Sequence, residues 1–110
     1  MANGLLFKKY HIPMILDGSK TATRRTHKRP LKPDKIIRVK RDWYHFYDPP
    51  ICLYLEKSYD QRLGDMTKED AKKEGGYTLD EFRKIWIEIN GAWDPDQVVR
   101  VYEFRLVKNG

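Results

Sequence analysis

The last third of the chain is written in two different periods, and their order limits the fold more than any other feature. In "TLDEFRKIWIEING", Leu79, Phe82, Ile85, Trp86 and Ile89 recur at helical spacing. Thr78 and Glu81 form a capping box at the start, and Gly91 closes the run. The next segment, "QVVRVYEFRLVK", alternates strictly. Val99, Val101, Glu103, Arg105 and Val107 share one face of a strand, and Val98, Arg100, Tyr102, Phe104 and Leu106 share the other. Everything before residue 64 that has a pattern is extended, apart from one short helix. Helices inserted late, instead of alternating with strands, argue against a doubly wound α/β sheet.

The earlier elements follow from their punctuation. "GLLFKKYH" reads as a first strand. "IPMILDGSK" reads as a short helix, with Pro13 in its first turn and Gly18 at its stop. "TATRRTHK" and "KIIRVK" read as strands, the second entered through the prolines and Asp34 of "PLKPDK". "YHFYDPP" is an aromatic loop. "ICLYLEKSYDQRL" is the longest strand candidate, and "MTKEDAKKEGG" is a helix capped by Thr67 and stopped at Gly75 and Gly76. The expected architecture is a single α+β domain over residues 1–110: a curved sheet or β-barrel of five or six strands with two or three helices. The Phe82–Ile89 helix is expected to plug one open side of the core.

Charge singles out one stretch. Lysine and arginine number 22 against 16 acids, a net charge of +6. Ten of the basic residues lie between Lys20 and Arg41, opposed there only by Asp34. Such a segment suits an anionic partner, with a solvated surface as the plainer reading. Beside it, "DWYHFYDPP" offers Trp43, Tyr44, Phe46 and Tyr47. Rings next to cations are what single-stranded RNA binding uses, although most such rings pack into a core.

Other chemistry is disfavoured. Cys52 is the only cysteine, sits in an apolar run, and reads as a buried structural thiol. His11, His27 and His45 lack metal-ligand spacing, and "GSKT" lacks the upstream glycine of a P-loop, so neither a metal nor a cofactor is expected. No stretch reaches the roughly 18 apolar residues of a membrane span. The first residues have too short an apolar core for a secretory signal, and a cytoplasmic location is expected.

"ILDGSKTATRR" resembles the signature of ASCH domains, a branch of the PUA-like β-barrel superfamily associated with RNA. Gly18, Lys20, Thr21 and Arg25 carry the likeness; "KPDKIIRV" and "VVRVYEFRLV" match the strands that follow in such domains. The resemblance implies a PUA-like barrel and an RNA or nucleotide ligand held in a basic cleft. Its binding set here would be Lys20, Thr21, Arg24, Arg25, Lys28, Arg29, Arg41 and Trp43. The chain is also similar to small bacterial ASCH enzymes that deacetylate N4-acetylcytidine. That similarity implies an alternative: an amidohydrolase with Thr23 as nucleophile, Lys20 as base and Glu74 as proton carrier, acting on a modified nucleoside. The segment from Lys28 to Asp48 departs from the pattern, being richer in basic and aromatic residues.

The chemistry imposes its own conditions. Lys20 serves as a base only if burial or neighbouring cations depress its pKa, and a carboxylate beside it pulls the other way. On a straight strand Lys20 and Thr23 would face opposite sides. They converge only if Lys20 lies in the turn and the strand begins near Ala22, which would put Thr23 and Arg25 on one side. The plainer readings are a surface threonine, a lysine at the carbonyl end of the preceding helix, and a solvated glutamate.

Overall fold

The computed structural model describes residues 4–26 and 30–107. Among these residues five strands form one sheet in the order β1-β3-β4-β5-β2. They are β1 (Gly4–Leu6), β2 (Ala22–Arg25), β3 (Lys35–Lys40), β4 (Cys52–Arg62) and β5 (Val98–Val107). The β1–β3 pair is parallel and the others antiparallel. Three helices accompany them: α1 (Ile12–Asp17), α2 (Lys68–Lys73) and α3 (Leu79–Asn90).

The alternation of β5 is used on both faces. Tyr102 and Phe104 enter a core with Leu53, Leu55, Ile37 and Phe7. Val99, of opposite parity, enters a second core with Leu63, Met66, Phe82 and Trp86. A register shift between Leu55 and Lys57 on β4 falls opposite Phe104 and Glu103 of β5. Burying each such side chain contributes about 1.5–3 kcal/mol, so both patches hold the sheet.

Three expectations change. The barrel is not closed: among the described residues β1 and β2 are the two free edges, and a side chain joins them instead of a ladder. The Arg25 guanidinium donates to the Leu6 carbonyl at 2.5 Å. The first strand stops at Leu6 instead of reaching His11, because Lys9–His11 turns into a single 3₁₀ turn leading into α1. The strand expected over 21–28 is described only as Ala22–Arg25; Lys28 and Arg29, with His27, lie outside the described residues.

The caps behave as their residues require. Thr67 and Thr78 each complete a capping box, with Asp70 and Glu81. Gly18 ends α1 at φ 85°, a left-handed conformation that glycine adopts without the strain a side chain adds. The chain then doubles back, and the Lys20 amide donates to the Met14 carbonyl at 3.0 Å. Along α3, Phe82 and Trp86 are buried in the second core, whereas Ile89 is 42% exposed. The helix covers one face of the sheet with α2 and leaves its Ile85–Ile89 flank outside.

Candidate functional site

That flank forms one wall of a cleft of about 770 Å³, with the edge strand β2 and the end of β1 opposite. Thr23 and Lys20 line its floor, and so does Glu74. All three are buried.

Local structure explains the convergence. Because α1 stops at Gly18 and β2 starts at Ala22, Lys20 sits in the connection and its side chain is free of strand alternation. Glu74 is the C-terminal cap of α2, and the Gly75–Gly76 turn follows at φ 153° and 77°. The end of α2 is pinned to the same connection, since the Thr21 amide donates to the Lys73 carbonyl at 2.7 Å. Fifty-four residues of sequence separation close to 3.3 Å between Lys20 Nζ and Glu74 Oε1.

The lysine ammonium is fully occupied. Besides Glu74 Oε1, it donates to the Ala22 carbonyl at 3.0 Å and the Glu74 carbonyl at 2.9 Å. Burial pushes its pKa below the usual lysine value; Glu74 opposes the shift, and Arg25 and Arg24 add to it. Glu74 Oε2 accepts from the Arg24 guanidinium at 2.6 Å. Arg24 also donates to Gln61 Oε1 at 2.6 Å and lies 3.6 Å from Asp70. Most of its guanidinium is therefore engaged by protein groups, and its Nε has no hydrogen-bond partner among the described residues.

Thr23 and Arg25 share a side of β2, and Arg25 Nε donates to Thr23 Oγ1 at 3.1 Å. The Arg25 guanidinium stacks 4.6 Å from the Phe7 ring centre. Burial lowers its pKa to about 10, which leaves it charged at neutral pH.

The remaining residues of the expected binding set are dispersed. Arg41 and Trp43 reach the cleft mouth, Trp43 with 79% of its surface exposed. Thr21 does not line the cleft; its carbonyl accepts the Phe104 amide. The basic run also divides, because Lys35, Arg38 and Lys40 belong to β3, and Arg38 and Lys40 lie against the Phe46 ring.

The sequence reading passed over His11. It is buried at the start of α1, lines the cleft, and bonds through Nε2 to the Tyr77 hydroxyl at 3.1 Å. Burial, with Lys20 and Arg25 nearby, lowers its pKa to about 4. Only its place between an apolar strand end and an N-terminal Pro hinted at burial. Among the described residues no group of three or more His, Cys, Asp or Glu could hold a metal ion, and no helix is long and apolar enough to cross a membrane.

No family model and no curated protein matches the sequence. Solved structures do match the fold. Protein EF3133 from Enterococcus faecalis V583, of family DUF984, superposes with a TM-score of 0.70 at 16% identity, covering 97% of this chain and 80% of that one. The ASCH domain from Lactobacillus crispatus JV V101 gives 0.65 at 13% identity, covering 94% and 79%. The ZmASCH mutant protein from Zymomonas mobilis gives 0.63 at 12% identity, covering 93% and 67%. The five-stranded sheet with its three helices has the fold of these ASCH-domain structures.

Proposed function

We propose that the cleft binds a nucleoside unit, free or within RNA, and that its floor hydrolyses an acyl group from the exocyclic amine of the base. The observation that carries this reading is the contact between Lys20 and Glu74, buried in the same cleft as the Thr23 hydroxyl. A cleft of this size falls in the range that takes small ligands.

Lys20, Glu74, Thr23 and Arg25 divide the chemistry among them. Lys20 passes a proton to Glu74 Oε1, which is within hydrogen-bond distance, and its burial favours the neutral amine. The amine then takes the Thr23 proton as Oγ1 bonds to the acyl carbon. Arg25 Nε, already donating to Oγ1, favours loss of the hydroxyl proton, while the charge of the tetrahedral intermediate gathers on the acyl oxygen. The Lys20 proton goes to the departing amine as the C–N bond breaks. Water then cleaves the threonyl ester, releasing the carboxylate.

The test is conversion of N4-acetylcytidine to cytidine. Thr23→Val and Lys20→Met are expected to lower turnover by about 10² to 10⁴-fold, the usual contribution of a nucleophile's proton transfer. Absence of turnover, or turnover unchanged in both variants, removes the reading.

A second reading is an RNA-binding module without hydrolysis. It is favoured by Trp43, exposed beside Arg41 at the cleft mouth. RNA affinity should then fall steeply with salt. Trp43→Ala should cost about 1–3 kcal/mol of binding without changing stability. A flat salt response counts against it.

A further inference from the structure

Among the described residues, six cationic side chains and two carboxylates line the cleft. The two carboxylates are spent internally. Glu74 is held by Lys20 and Arg24. Asp42 accepts from the Tyr44 and His45 amides at 2.9 Å and from the His45 ring at 2.8 Å, closing its own loop. Three of the cations, Lys20, Arg24 and Arg25, are likewise engaged by protein oxygens.

The other three are not. Lys8, Lys9 and Arg41 are exposed, and their side chains make no hydrogen bond or ion pair with a described residue. Elsewhere on the surface Arg62, Lys73 and Arg100 pair with Asp96, Glu103 and Asp60. The lip is also held in place by backbone. The 3₁₀ turn after Lys8 is fixed by the His11 amide on the Lys8 carbonyl at 2.9 Å, and the Arg41 amide donates to the His45 carbonyl at 2.9 Å. A low-dielectric cleft with uncommitted charge of one sign at its mouth concentrates the opposite charge there.

We propose that Lys8, Lys9 and Arg41 form a phosphate-binding lip, so that the ligand of the cleft is a nucleotide instead of a neutral nucleoside. The proposal rests on the reading of the cleft as a nucleoside site and names the class of ligand it takes. The phosphate belongs either to a free 5′-mononucleotide or to the backbone of single-stranded RNA. Both present the same anion, and Trp43 at the mouth offers a ring for a neighbouring base.

Calorimetric titration of the intact protein with cytidine, cytidine 5′-monophosphate and a short single-stranded oligoribonucleotide tests this without requiring turnover. Either phosphorylated ligand should bind at least about tenfold more tightly than cytidine at low salt, as three cations near one phosphate allow. The advantage should shrink as salt is raised. It should fall to near unity in the combined variant Lys8→Ala, Lys9→Ala, Arg41→Ala, whose exposed side chains leave the cores intact. Whether the mononucleotide or the oligonucleotide gains more identifies the source of the phosphate. Equal affinity for cytidine and its phosphate, an advantage that survives in the triple variant, or no binding of any of the three overturns the lip. Missing hydrolysis with the phosphate preference intact would instead remove only the amidohydrolase reading.

Discussion

Replacing Glu74 by glutamine tests the centre of the site through stability alone. The carboxylate gives one oxygen to Lys20 Nζ at 3.3 Å and the other to Arg24 at 2.6 Å, with all three side chains almost fully buried. An amide of the same shape keeps one acceptor and turns an NH₂ group toward the second cation. Removing one partner of a buried pair costs about 3–5 kcal/mol, since it leaves buried charge uncompensated. The lower end applies here, because Lys20 retains two carbonyl acceptors and Arg24 retains Gln61. Arg24 Nε already lacks a partner among the described residues, so a further unmet donor adds to the cost. Glu74→Gln is therefore expected to lose about 3 kcal/mol, a drop in Tm of roughly 12 °C or more for a domain of this size. Urea unfolding followed by circular dichroism reads the loss directly. A double-mutant cycle with Lys20→Met should give a coupling above about 1 kcal/mol. A loss under about 1 kcal/mol, the scale of an exposed ion pair, would refute the buried network as the organiser of the cleft.

Acid should weaken the fold through His11. Its pKa is lowered from 6.5 to about 4 in the folded state, so between those values the unfolded chain holds a proton that the folded one refuses. Stability is thus unaffected by this group above pH 6.5 and declines as pH falls toward 4, by about 3 kcal/mol in all. His11→Gln should lose less stability than the parent between pH 7 and 4.5, and equal losses in urea titrations would contradict the assignment. Gly75→Ala should disturb the turn that carries Glu74. Its Cβ would lie 2.8 Å from the Tyr77 ring and 3.0 Å from Met14 Sδ, at a φ of +153°. A destabilisation above about 1 kcal/mol is expected, together with reduced turnover; an unchanged melting curve would show that the turn tolerates a side chain.

Much of the fold was legible because its signals are local. The Thr67 cap, the Thr78–Glu81 capping box, the glycine stop of α1 and the alternation of β5 each depend on residues within a few positions of one another. Closure was not legible. Whether β1 and β2 complete a barrel depends on where the three strands between them in the sheet place its two edges, and there a guanidinium bridges them. The α3 stripe shows the same limit. Helical period marked Ile85 and Ile89 as apolar, but only the placement of α3 against α2 and β5 left that flank lining a cleft while Phe82 and Trp86 were buried.

For the site, the chain order of Gly18, Lys20, Ala22 and Thr23 determined that a lysine in a turn and a threonine on a strand could face the same way. Short-range backbone geometry suffices for that. Only the tertiary structure decided that Glu74 docks on Lys20 instead of lying in solvent, and that Arg24 is drawn inward to balance it. Those outcomes follow from desolvation: once packing buries the amine, a partner must come with it, and the partner is chosen by the fold.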